Sequence, residues 1–206
     1  IGYGSKSDAV SGIEEIITGS GDDTITGSDG ADYFSSGSGT DSINGGDGDD
    51  TLIGGSGEDT LVGGDGNDVF HMDVSDAAID GGAGTDILYS GYNLLDLTTG
   101  TLPNIANIEV IDLTVLGAGV GNSLVLTSAV VESITDSNNT LRIEGQIGDA
   151  VQLVDLPNWT ETTETIGPVT YQKFTKGNAT VLLAPAISAD ALSGVLGTTE
   201  TITGSI

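Results

Sequence analysis

Residues 45–71 read GGDGDDTLI GGSGEDTLV GGDGNDVFH, three nine-residue blocks in register. Extending the frame upstream gives TGSGDDTIT, GSDGADYFS and SGSGTDSIN over residues 18–44. Downstream, MDVSDAAID (72–80) breaks the pattern, and GGAGTDILY (81–89) restores it without loss of frame. Position four is Gly21, Gly30, Gly39, Gly48, Gly57, Gly66 and Gly84. Position six is Asp23, Asp32, Asp41, Asp50, Asp59, Asp68 and Asp86, and position eight is Ile25, Phe34, Ile43, Leu52, Leu61, Phe70 and Leu88. A fixed period of this kind marks a solenoid of stacked units. Acidic, Gly-rich sequence is also what disordered chains contain, but disorder needs no frame.

The physics of the unit is simple. Glycines at positions one, two and four allow positive φ and turn carbonyls toward a common point. The aspartate adds charge, and the last three residues form a short strand with one apolar side chain facing inward. One block makes a half turn, so eighteen residues complete a coil and each loop stacks on its second neighbour. Asp23, Asp41 and Asp59 then line one edge, and Asp32, Asp50, Asp68 and Asp86 the other.

Hard oxygen ligands in an irregular loop suit calcium, which takes 6–8 of them, and G-G-x-G-x-D-x-U-x is the known signature of calcium-binding RTX repeats. The expected donors are the seven position-six aspartates, with the backbone carbonyls of Gly19, Gly21, Gly30, Gly37, Gly39, Gly46, Gly48, Gly55, Gly57, Gly64, Gly66, Gly82 and Gly84. Gaps between stacked aspartates number about five. A sixth site forms if Asp73 or Asp76 substitutes for the aspartate missing at Ala77. Glu14, in the in-frame block AVSGIEEII (9–17), is a candidate extension of the first edge.

The chain has 31 acidic residues, four basic ones and a formal net charge of -27, with no Lys or Arg between Lys6 and Arg142. That field repels nucleic acid and anionic lipid. Cysteine is absent, which excludes disulfides and thiolate metal sites. No apolar run approaches the ~20 residues of a membrane span. The first residues, IGYGSKSDAV, lack the features of a secretory leader and read as a cut from a longer protein, which leaves a C-terminal export signal as the expectation.

The fold expected is all-β: a parallel β-roll followed by a mostly β C-terminal cap. The divisions are an entry segment (1–17), the roll (18–89), a β-rich cap (90–186) and a tail (187–206). Strand candidates in the cap are the alternating stretch 104–117, then 123–127, 140–144 and 150–154. A hairpin is expected of 170–175 with 179–184, and a helix over 128–134 capped by Ser128. Trp159, Tyr171 and Phe174 are candidate core, with a sugar platform as the alternative for Trp159.

The repeats, with NIEVIDLT (107–114), NTLRIEG (139–145), GDAVQLVD (148–155) and TYQKFTKGNATVLL (170–183), resemble the C-terminal RTX region of large bacterial surface adhesins. That resemblance implies type I export through an ABC transporter and an outer-membrane channel, C-terminus first, to the medium or cell surface. It also implies a monomeric calcium module with no membrane insertion. No catalytic signature is present: the single histidine, His71, falls at the outward-facing position nine, and no zinc, nucleophile-elbow or phosphate-loop motif occurs. Paired acids such as Asp22 and Asp23 recur in register, which favours metal ligation over glycoside chemistry. The alternatives are the calcium-binding tail of a secreted enzyme and a sugar-binding surface module. Mixed residues at positions seven and nine argue against ice binding.

Overall fold

In the computed structural model, the described residues are 7–9, 15–90, 94–98, 103–114, 122–146, 148–154 and 159–187. The chain first forms β1 (Ser7–Ala9), β2 (Glu15–Ile17), β3 (Thr24–Thr26), β4 (Tyr33–Ser38) and β5 (Ser42–Asp47). It continues through β6 (Thr51–Ser56), β7 (Thr60–Asp65), β8 (Val69–Met72), β9 (Ala78–Ala83) and β10 (Ile87–Ser90). After the repeats come β11 (Leu94–Asp96), β12 (Asn104–Ala106), β13 (Val110–Asp112), β14 (Ser123–Leu126) and helix α1 (Ser128–Ile134). The last elements are β15 (Thr140–Glu144), β16 (Ala150–Leu153), β17 (Thr160–Ile166), β18 (Val169–Lys176) and β19 (Ala179–Leu183).

Alternate strands belong to alternate sheets. One sheet runs β1-β3-β5-β7-β9-β12, and a second contains β2, β4, β6, β8, β10, β13, β15 and β19 in order. Pairing is parallel, with Ile25 on Ile43, Ile43 on Leu61, and Leu61 on Ile79. The opposite sheet stacks Phe34 on Leu52, Leu52 on Phe70, and Phe70 on Leu88. This is a parallel β-roll. Its core is the file of position-eight side chains, all buried, including Ile79 of the irregular block. The full-length repeat strands are longer than the expected triplet. In β5, β6 and β7 they reach through positions one to three, and position one faces inward behind the apolar residue.

Beyond β10 the roll gains a third side. Strands β11, β14 and β16 form a separate parallel sheet, with Leu95 on Leu124 and Leu124 on Val151. Successive coils now visit three faces, and α1 takes the place in the chain where the next strand on the β12 side would fall. The helix is where the sequence puts it, but its cap is Thr127, whose side chain accepts from the Val130 N–H at 3.2 Å; Ser128 is the first helical residue. Within the alternating stretch 104–117, of which 115–117 lie outside the described residues, the chain forms two strands, β12 and β13, separated by a turn in which Asn107 has φ 52. The hairpin β18–β19 turns at Gly177-Asn178 as expected, and Tyr171 and Phe174 are buried in its core while Trp159 packs partly buried against it. Strand β17 was not foreseen: TETTETI is polar and largely exposed, and pairs antiparallel with β18 as an outer strand.

Where a coil stacks below, as at Gly39, Gly48, Gly57, Gly66 and Gly84, the spacing leaves no room at the turn glycine. Gly57 has φ +141, and a methyl group there would strike the Gly39 carbonyl oxygen one coil below. Gly30 has open space and no positive φ. Gly57→Ala is therefore expected to lower stability in saturating calcium by about 2 kcal/mol or more, and Gly30→Ala by well under half of that. Denaturant unfolding of both variants measures the difference.

Candidate metal centre

Each position-six aspartate stands just before a strand, where the chain turns from loop to sheet. In five of the seven the backbone N–H meets the carboxylate of the aspartate one coil on, eighteen residues later. Asp23 donates to Asp41 Oδ1 at 2.8 Å, and Asp41 to Asp59 Oδ1 at 2.8 Å. On the other edge Asp32 donates to Asp50 Oδ1 at 2.7 Å, Asp50 to Asp68 Oδ1 at 2.8 Å, and Asp68 to Asp86 Oδ1 at 2.8 Å. The two edges are those read from the sequence, and all seven aspartates are buried.

The second oxygen is the telling one. Oδ2 of Asp41, Asp50, Asp59, Asp68 and Asp86 is buried with no hydrogen-bond partner. A buried carboxylate oxygen left bare costs free energy, so these atoms ask for a cation. Asp32 differs: its Oδ2 accepts from the Ser28 N–H at 2.8 Å and from the Ser28 hydroxyl at 3.3 Å.

What surrounds these oxygens corrects one expectation. The position-one glycines Gly27, Gly45, Gly54, Gly63 and Gly81 do not have positive φ. They are required for space: a methyl group on Gly45 would collide with Asp50 Oδ2 and sit 2.7 Å from the Gly63 carbonyl oxygen. Gly63 stands in the same relation to Asp68 Oδ2 and the Gly81 carbonyl oxygen at 2.5 Å. At Gly45, Gly63 and Gly81 the cradle thus joins a bare Oδ2 with a carbonyl from the next coil, and the expected donor set does not include the position-one carbonyls. Of the glycines in that set, Gly21, Gly37, Gly39, Gly46, Gly48, Gly55, Gly57, Gly64, Gly66, Gly82 and Gly84 do turn with positive φ, whereas Gly19 and Gly30 do not. Some of the position-two carbonyls work in the ladder, as when Ser38 N–H donates to Gly19 O at 2.9 Å.

In the irregular block, Asp76 is buried, its Oδ2 accepts from the Asp73 N–H at 2.8 Å, and its Oδ1 has no hydrogen-bond partner. The adjacent Ala77 N–H donates to the Asp59 carbonyl at 2.7 Å, which sets Asp76 on the Asp59 edge. Asp73 instead accepts from the Ser75 N–H and hydroxyl at 2.9 and 2.7 Å. Of the two proposed substitutes, Asp76 carries the bare oxygen. Glu14 lies outside the described residues. Position five faces solvent, where Asp22 and Asp49 accept from the N–H groups of Thr40 and Asn67.

Burial, and then the neighbouring carboxylates, push Asp50 up to about 6 and Asp76 and Asp86 up to about 7. Burial also raises Asp59 and Asp68. Among the described residues the ion pairs are Arg142–Glu144 and Lys173–Glu164, both remote from these edges in sequence. The donor set is hard oxygen only, and among the described residues no three carboxylates or imidazoles converge. Neutral oxygens must therefore complete any coordination shell, and the cradle carbonyls are placed to supply some of them, which suits calcium's tolerance of irregular geometry. His71 stacks on Tyr89 with ring centroids 5.2 Å apart, and burial lowers its pKa.

Fold and cradles together define a calcium-binding β-roll. Residues 8–43, 35–70 and 78–91 match the family model of the RTX calcium-binding nonapeptide repeat (4 copies), so the chain carries an RTX calcium-binding repeat region. No curated protein and no solved structure matches the chain.

The raised carboxylates give a pH signature in chelator. With folded values above the unfolded 3.8, the folded chain binds more protons, so stability is greatest below about 4 and is lost as pH rises through about 6 to 7. Acidifying a calcium-free sample from pH 8 to 5 is expected to increase β signal in circular dichroism. Asp50→Asn keeps an acceptor for the Asp32 N–H but removes charge from a cradle. If about five ions bind together, losing roughly one site's ~1.4 kcal/mol or somewhat more raises the calcium midpoint only about two-fold, measurable by calcium titration.

Proposed function

We propose that the chain is a calcium-triggered folding module of a secreted bacterial adhesin, unfolded in the cytosol and folding as it meets external calcium. The observation that supports this is the buried file of aspartates whose second oxygen has no hydrogen-bond partner. Without a cation, the fold must hold those carboxylates close together and dry. With one, binding to the folded state alone adds RT ln(1 + [L]/Kd). At tenfold the ~10⁻⁴–10⁻³ M dissociation constants of extracellular modules, five sites contribute ~7 kcal/mol. A whole domain is stable by ~5–15 kcal/mol. At submicromolar calcium the term vanishes.

The consequence for export is a ratchet. A channel that passes unfolded chain benefits when the emerged part folds outside and cannot slide back. A transporter and outer-membrane channel of type I are the partners in this reading, and the tail 187–206 is the proposed address, of which 188–206 lie outside the described residues. Adhesion to a surface belongs to other parts of a longer protein. No catalytic role is assigned to this segment. No helix among the described residues is long and apolar enough to cross a membrane.

Circular dichroism through a calcium titration is expected to show a cooperative coil-to-β transition between about 0.1 and a few millimolar. Magnesium is expected to fail at equal concentration, because its tight octahedral shell suits carbonyl-rich loops poorly. A chelated sample at pH 7.5 with its full β signal would end the proposal. For export, secretion rates with and without external calcium test the ratchet; equal rates remove it.

A further inference from the structure

On the Asp32 edge the cradles form a series. A methyl group on Gly27, Gly45 or Gly63 would meet the carboxylate of Asp32, Asp50 or Asp68, and also the carbonyl of Gly45, Gly63 or Gly81 from the next coil. The next member breaks the repeat. Gly81 faces Asp86 Oδ2 at 2.6 Å from its notional methyl, but the carbonyl it meets is that of Asn107, well past the last nonapeptide. Asn107 reaches this place with φ 52, a value glycine takes freely, and its Nδ2 is tied to Asp80 Oδ1 at 2.7 Å.

The carboxylate ladder continues in the same way. Asp86 N–H does not donate to an aspartate eighteen residues on, but to Glu109 Oε2 at 3.0 Å. Glu109 Oε1 accepts from the Asp136 N–H at 3.4 Å, so one side chain grips the coils on both sides. Its longer reach compensates for the wider three-sided coil that follows. Asp86 itself is fully buried, and its Oδ2 has no hydrogen-bond partner.

We propose that Asp86, the Asn107 carbonyl and Glu109 form a further calcium site, closed by the chain beyond the repeats and lying partly outside the family-matched residues, which end at 91. It rests on the calcium reading above, and ties the repeats to the segment that follows through a shared ion. Asp86 supplies the bare carboxylate oxygen, Asn107 the neutral oxygen, and Glu109 the second negative charge from the next coil. A repeat region ending at residue 89 has three aspartate gaps on this edge; this adds a fourth.

Two measurements test it. Crystals of the wild-type chain grown in calcium are expected to show an anomalous peak beside Asp86 Oδ2 and the Asn107 carbonyl oxygen, at roughly 2.3–2.6 Å from each. Native mass spectrometry at saturating calcium is expected to find one ion fewer bound to Glu109→Gln than to the wild type. Peaks at Asp50 and Asp68 without one at Asp86, or an unchanged ion count in Glu109→Gln, overturn this site and leave the repeat sites standing. No peak at any aspartate overturns the calcium reading itself. Should Glu109→Gln not fold, the wild-type map decides alone.

Discussion

The structure depends on a divided carboxylate. One oxygen of Asp41, Asp50, Asp59, Asp68 and Asp86 takes the amide of the coil before it, which fixes the stacking register. The other is buried without a hydrogen-bond partner, and at Asp50 and Asp68 a carbonyl of the next coil crowds the same glycine, as Asp50 Oδ2 and the Gly63 carbonyl oxygen do at Gly45. The first contact is an ordinary hydrogen bond and stabilises modestly. The second is repulsive until a cation enters. A roll whose interior is one file of aliphatic and phenyl side chains has little else to offset that repulsion, which is the ground for the proposed coupling of metal binding to folding.

The sequence shows these parts unevenly. Period nine placed all seven aspartates, both edges and the buried file from Ile25 to Leu88, because a repeated unit multiplies a weak local signal. It misjudged the position-one glycines. Gly45 and Gly63 look like turn residues, yet they lie in strands, and what demands glycine there is a neighbour's carboxylate rather than backbone freedom. That information is three-dimensional, since the colliding atom belongs to a residue five positions on and the carbonyl to another coil.

Outside the repeats, legibility follows pattern strength. The hairpin at Gly177-Asn178 and the helix at 128–134 carry local signals and were found. Strand β17 was not, because an exposed outer strand needs no apolar alternation and TETTETI has none. The third face was also hidden: β11, β14 and β16 pair over unequal sequence distances, so no period survives to announce them. Glu109 and Asn107 belong to the same class, doing the work of Asp and Gly with other residues at another spacing. Only the echo between the acid before β13 and the aspartates before the earlier strands hints at it.

Helix α1 has a consequence for how such a solenoid ends. A parallel ladder has no internal reason to stop, and its last strand offers unsatisfied amides to any passing chain. Here α1 lies against β12, the terminal strand of its sheet, and the Ile134 carbonyl accepts the Ile108 N–H at 2.7 Å. The helix plugs that lane of growth, so a neighbouring molecule finds that edge of the sheet already covered.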